Sequence, residues 1–183
     1  MLTSQTSMIE STTPQLTLVL GGARSGKSRY AENLIMASRP PWIFMATAEP
    51  GDTEMTERIA LHRRWRGRDW QTIEAPHDLT AALAAVAVDT PVLVDCLTLW
   101  LSNRMLADAD MEPEISRLEA ALDSRRGPIV LVSNEVGFGI VPENELGRRF
   151  RDLQGSLNQR LAARAGRVVL MVAGLPIAVK EAK

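Results

Sequence analysis

The chain has 183 residues, 45% of them hydrophobic, with 21 Lys and Arg against 22 Asp and Glu, a net charge of −1 and one cysteine. That length suits a single domain with a sizeable core, and the balanced charge supplies no field that would recruit nucleic acid or an anionic membrane. The lone Cys96 excludes an internal disulfide and a multi-thiol zinc site, so a reducing, cytoplasmic setting is the default.

Residues 1–15 are rich in Ser and Thr and lack a basic start followed by an apolar run, so they read as a disordered leader ahead of a domain over 16–183. Strands are predicted at 16–20, 42–47, 91–95, 128–133 and 167–173, with a weaker one at 70–74. Helical patterns occupy 27–38, 53–66, 78–88, 97–106, 113–124 and 143–164. The stronger strand runs are nearly continuous in Val, Leu, Ile and Met, as expected where helices cover both faces of a parallel sheet. Strand and helix alternate, which predicts an α/β, doubly wound, mostly parallel fold with right-handed crossovers. No apolar run reaches the roughly 20 residues of a membrane span, since Asp78, Asp89 and Asp95 interrupt the longest candidate. On such sheets ligands bind beyond the carboxyl ends of the strands.

After the first strand comes Gly21-Gly22-Ala23-Arg24-Ser25-Gly26-Lys27-Ser28, a full match to G-x-x-x-x-G-K-[ST]. Gly21, Gly22 and Gly26 let the chain turn and bring backbone N–H groups to phosphate oxygens, and the next helix directs its positive dipole end at the same anion. Lys27 then belongs at the β/γ-phosphates and the Ser28 hydroxyl on Mg²⁺, so the ligand class is a nucleoside triphosphate.

The run Pro91-Val92-Leu93-Val94-Asp95 ends a strand in a carboxylate, which suits a Mg²⁺ ligand, direct or through water, if that strand neighbours the first; Asp95 as a turn or cap residue is the alternative. His62 falls on a predicted helix with Arg58 and Arg66 four residues to either side. Those cations keep the imidazole neutral and nucleophilic and suit phosphates, whereas a packed histidine is the plainer reading of composition. His77 has no comparable setting. The cluster from Arg58 to Arg68, with Trp65 and then Trp70, reads as a phosphate-gripping or solvated face in preference to a nucleic-acid patch. Asn134 and Glu135 leave the predicted strand at 128–133 ahead of the Gly137 and Gly139 loop. There Glu135 either orients a substrate hydroxyl, takes its proton or contacts metal through water, or the segment is simply a turn into the helix near Pro142.

The loop at 21–28 is joined by Ala46-Thr47-Ala48, Glu57-Arg58-Ile59 leading to His62, Trp70 to Glu74, and Ser133-Asn134-Glu135-Val136-Gly137-Phe138-Gly139-Ile140-Val141-Pro142-Glu143-Asn144. Arg149-Phe150-Arg151-Asp152-Leu153-Gln154-Gly155 and Asn158-Gln159 follow. Across residues 16 to 180 these segments together resemble the bifunctional adenosylcobinamide kinase/adenosylcobinamide-phosphate guanylyltransferase family of cobalamin biosynthesis. The resemblance implies a single-domain P-loop NTPase of the RecA-like kind, ATP and GTP as nucleotides with Mg²⁺, and a homo-oligomer, a trimer. It implies that a nucleoside triphosphate phosphorylates adenosylcobinamide and that GMP from GTP then passes to the phosphate by way of His62, releasing pyrophosphate. By the same correspondence Ala46, Thr47, Ala48, Arg63, Arg64, Trp65, Arg66, Glu74 and Cys96 fall at or near the nucleotide, beside Lys27 and Glu135 as catalytic positions. A plain small-molecule kinase needs no covalent His62. A regulatory GTPase is expected to carry Asn-Lys-x-Asp, which does not occur here.

Overall fold

The computed structural model describes residues 15–49 and 67–181. The predicted leader up to residue 14, the predicted helix over 53–66, His62 and Arg63 to Arg66 therefore lie outside the described residues.

In chain order the elements are β1 (Leu16–Gly21), α1 (Lys27–Met36), β2 (Trp42–Ala46), β3 (Trp70–Glu74), α2 (Leu79–Ala84), β4 (Val92–Asp95), α3 (Leu97–Leu106), α4 (Met111–Asp123), β5 (Ile129–Asn134), α5 (Glu145–Arg164), β6 (Arg167–Val172) and β7 (Leu175–Lys180). All seven strands form one sheet in the order β3-β2-β4-β5-β1-β6-β7, and only the β6–β7 pair is antiparallel.

Strand alternation divides the core into two layers. Leu18, Met45, Val92, Val94, Ile129 and Leu131 face α2, α3, α4 and α5, where Leu79, Trp100, Leu118 and Leu161 are buried against them. Val19, Phe44, Leu93, Val130 and Val132 face α1, with Ala31 and Ile35. The predicted mostly parallel α/β sheet with helices on both faces is thus what forms.

Three boundaries differ from expectation for identifiable reasons. Strand β7 was not anticipated: Pro176 and an exposed row from Leu175 to Lys180 hide an edge strand, and it returns on β6 through a turn whose Ala173 and Gly174 both have positive φ (51° and 83°). Helix α2 ends at Ala84, short of the expected 88, because the buried Arg125 guanidinium donates to the carbonyls of Leu83, Val86, Ala87 and Thr90 and so takes up that turn. Helix α4 starts at Met111, ahead of Pro113, since the Asp110 side chain caps it and proline is tolerated within a first turn.

Candidate active site at the carboxyl edge of the sheet

The turn from β1 into α1 has the backbone that the sequence requires. A Cβ on Gly21 would stand 2.6 Å from Ser25 Oγ and 2.8 Å from the Met171 carbonyl, so only glycine fits between the loop and β6. Gly26 caps α1 at φ 91°, a left-handed conformation that glycine adopts without strain. A Cβ on Gly22 would meet nothing within 4 Å, which leaves that side of the loop open to a ligand. Lys27 is buried to 8% exposure and its Nζ donates to the Gly22 carbonyl at 2.8 Å, folding the ammonium back over the loop. Ala23 and Arg24 are exposed on the loop, and Ser28 is half-buried one residue into α1. The β6–β7 turn supports the loop from below: Gly174 N–H donates to the Ser25 carbonyl at 3.0 Å. That buttress went unseen with β7 itself.

The sheet brings the other expected positions to the same edge. Ala46 is in register with Asp95 on one side and Glu74 on the other, and Gly21 with Asn134. By strand alternation Glu74, Ala46, Asp95, Asn134 and Gly21 all fall on the α1 side, continuing the row of Trp70, Phe44, Leu93, Val132 and Val19. Glu135 falls on the opposite alternation, and its Oε1 accepts from Gly137 N–H at 2.6 Å. The condition set for Asp95, that β4 neighbour β1, is not met, because β5 lies between them. Asp95 stands at the same edge on the α1 alternation, with β5 between it and the strand that leads into the loop.

Thr47 and Cys96 fasten the centre of this edge. The buried Thr47 hydroxyl donates to the Cys96 carbonyl at 2.6 Å and accepts from Cys96 N–H at 2.8 Å. Asn103 Nδ2 donates to the carbonyls of Thr47 and Pro76, holding the ends of β2 and β3 to α3. Thr47 is thus a clasp through its side chain. Burial pushes the Cys96 thiol up to about 11, with Asp95 adding to the rise and Lys27 opposing it, so the sulfur is protonated near neutrality. His77, read as ordinary, pairs through Nε2 with Glu49 Oε1 at 2.7 Å. Trp70, half-buried, packs against Trp42 (5.4 Å between ring centroids) and Phe44 (6.4 Å).

Sequence reasoning missed the polar residues that hold β5 in place. Ser133, Gln154 and Asn158 form a buried cluster in which Gln154 Nε2 and the Ser133 hydroxyl donate to Asn158 Oδ1. The only signal was a pair of amides four residues apart on the apolar face of α5.

Among the described residues no three His, Cys, Asp or Glu side chains cluster as a metal site. Mg²⁺ fits this arrangement nonetheless, because it takes hard oxygen donors and is commonly held by one or two protein groups plus substrate phosphates. Ser28, on the helix that follows the loop, and Asp95, at the same edge of the sheet, carry such oxygens.

A family model described as cobinamide kinase / cobinamide phosphate guanyltransferase matches residues 17–179. The chain belongs to this family. A bifunctional adenosylcobalamin biosynthesis protein of Pseudomonas aeruginosa is 48% identical, with 89% of this chain and 96% of that protein covered. A counterpart from Salmonella typhimurium is 41% identical over 89% of this chain and 98% of its own length. Among solved structures, the RadB recombinase aligns at a TM-score of 0.51 with 16% identity, covering 85% of this chain and 73% of that one. An ATPase of a type III secretion system aligns at 0.51 with 13% identity, covering 90% and 56%. At that identity the likeness concerns the fold, which is that of a RecA-like P-loop NTPase. Family membership makes the chain a nucleotide-using enzyme of cobalamin biosynthesis, and no helix among the described residues is long and apolar enough to cross a membrane.

Proposed function

We propose that this enzyme phosphorylates adenosylcobinamide with a nucleoside triphosphate and then transfers GMP from GTP to the product through His62. The observation that carries the reading is the glycine cradle with Lys27, facing the same side of the sheet as Asp95, in a chain of this family.

In the first reaction the triphosphate lies on the 21–28 loop with Lys27 against its β/γ-oxygens. The aminopropanol hydroxyl attacks the γ-phosphorus, the bond to the β-phosphate oxygen breaks, and the hydroxyl proton leaves to a base, a role we assign to Glu135. In the second, the neutral imidazole of His62 attacks the α-phosphorus of GTP and pyrophosphate departs. A phosphate oxygen of adenosylcobinamide phosphate then attacks the same phosphorus, the P–N bond breaks, and adenosylcobinamide-GDP forms with His62 restored. Arg63, Arg64, Trp65, Arg66, Ala46, Thr47, Ala48, Glu74 and the Cys96 neighbourhood are assigned to the nucleotide, with arginines offsetting charge on the transferring group. When bound through Ser28 and Asp95, Mg²⁺ supplies charge neutralisation on the phosphate oxygens.

The partners are small molecules and not nucleic acid, a reading supported by the packing of Trp70. We place it in the cytoplasm as a homo-oligomer, a trimer; the open Leu175, Ile177 and Val179 on the edge strand β7 suit contact between copies. The direct test supplies adenosylcobinamide, Mg²⁺ and ATP or GTP and follows products. Adenosylcobinamide phosphate should form first, and adenosylcobinamide-GDP with one pyrophosphate should appear only with GTP. No phosphorylated corrinoid under either nucleotide refutes the proposal.

A further inference from the structure

The phosphate loop carries a second cation, in a backbone conformation that only glycine adopts freely. Gly22 to Ser25 form a turn closed by the Ser25 N–H, which donates to the Gly22 carbonyl at 3.3 Å. Arg24 is the third residue of that turn, with φ 55°. A positive φ at that place favours glycine or asparagine, because in the left-handed region a Cβ crowds the following carbonyl. Arginine is therefore strained there, and its side chain gives the fold nothing in return: it is exposed and makes no hydrogen bond or ion pair with the described residues. Strain that the fold does not use points to function.

The two cations of the loop are placed differently. Lys27 is 8% exposed and its Nζ donates to the same Gly22 carbonyl at 2.8 Å, so it meets phosphate from within the loop. Arg24 stands two residues from Gly22 and three from Lys27, its Cα at most about 11 Å from that of the lysine, with its guanidinium open to solvent. The loop is also open at Gly22, where a Cβ would meet nothing within 4 Å. A triphosphate seated on the loop thus has Lys27 beneath its β/γ-oxygens and Arg24 at the rim, where the acceptor arrives. A planar guanidinium suits that place, because its fork of donors engages two phosphoryl oxygens at once. We propose that Arg24 is a catalytic residue of the kinase reaction, binding the γ-phosphoryl from the open side and neutralising charge on its oxygens during transfer. The corrinoid hydroxyl oxygen bonds to the γ-phosphorus, the bond to the β-phosphate oxygen breaks, the nucleoside diphosphate departs and the hydroxyl proton leaves to Glu135. Arg24 keeps its own protons throughout.

This inference rests on the kinase reading above, and the experiment separates the two. Arg24→Gly and Arg24→Lys are compared with wild type in urea unfolding, in calorimetric binding of the β,γ-imido analogue of ATP with Mg²⁺, and in turnover of adenosylcobinamide at saturating ATP and Mg²⁺. Arg24→Gly relieves the turn and should unfold at the wild-type urea concentration or above it. Its affinity for the analogue should stay close to that of wild type, while kcat falls about 10²–10³-fold, the usual worth of one donor to the transition state. Arg24→Lys, which keeps the charge without the fork, should recover only part of that loss. Added guanidinium ion should restore part of the turnover of Arg24→Gly and none of that of Lys27→Ala. A glycine variant with wild-type kcat, one whose loss of turnover is matched by an equal loss of analogue affinity, or one less stable than wild type overturns the assignment. A wild type that binds the analogue and forms no phosphorylated corrinoid overturns the kinase reading itself, and with it any role of Arg24 in that reaction.

Discussion

The Thr47 hydroxyl bonds both backbone groups of Cys96, donating at 2.6 Å and accepting at 2.8 Å across 49 residues of sequence. It joins the end of β2 to the junction of β4 and α3, and so fixes where Asp95 stands relative to Ala46. Thr47→Val keeps the shape and strands the buried Cys96 N–H, while the Cys96 carbonyl keeps the Trp100 N–H. The expected loss is about 1–3 kcal/mol, read as a lower denaturation midpoint, with weaker Mg²⁺ dependence of nucleotide binding. A valine variant as stable as wild type means the clasp contributes nothing.

Lys27 and Asp95 should separate in their effects. Lys27→Ala removes the cation folded over the loop and should abolish most triphosphate binding while the variant still melts cooperatively, because the fold itself needs no charge there. Asp95→Asn should leave Mg²⁺-free nucleotide binding intact and shift the Mg²⁺ titration of turnover to higher concentration. Unaltered nucleotide affinity in the first variant, or an unaltered metal titration in the second, removes that residue from the site.

Arg125 tests the fold beneath the site. Its guanidinium, 3% exposed, donates to four carbonyls at the end of α2 and the approach to β4. Arg125→Met leaves the Val86 and Thr90 carbonyls without the guanidinium, while Leu83 and Ala87 keep backbone donors, and a loss of about 2–4 kcal/mol is expected in urea unfolding. The exposed neighbour Arg126, paired with Asp89 at 2.9 Å, is the control whose replacement should barely move the midpoint. Equal effects of the two would show that burial of Arg125 carries no special weight.

Acid should unfold the chain partly through Glu119. The hydrogen bond from Arg160 is the main reason its pKa lies below the ordinary glutamate value; one from Arg164 acts the same way, and burial opposes both. A carboxylate with a depressed folded-state pKa adds stability above its unfolded value, about 4.3, and that stability fades as pH falls toward the folded value. Glu119→Gln should therefore cost about 1–2 kcal/mol at pH 7 and progressively less below pH 4. A loss that is the same at pH 3 and pH 7 contradicts the ion-pair origin.

The centre of the sheet was legible because β1, β2, β4 and β5 are buried on both faces and so read as continuous apolar runs, and because the loop motif announces the turn into α1. β7 was not, since an exposed edge strand containing Pro176 has neither the burial nor the alternation that marks a strand. The site divides in the same way. Gly21, Lys27 and Asp95 follow from residue types that serve a single chemistry at a strand end. Asn134, Gln154 and Asn158 are ordinary amides until the sheet order sets β5 beside β1. Thr47 is a nucleotide-contact position by resemblance, and only the tertiary fold shows that its hydroxyl also bonds both backbone groups of Cys96.

The account turns on His62 as the carrier of GMP, which no plain kinase requires. The protein is incubated with Mg²⁺ and GTP labelled at the α-phosphate, denatured, and split between alkali and acid. Label should stay with the wild-type chain through alkali and leave in acid, because protonating a phosphoramidate makes imidazole a good leaving group. The His62→Ala variant should retain no label while still phosphorylating adenosylcobinamide. Wild-type guanylyl transfer by a folded His62→Ala variant would contradict the covalent route.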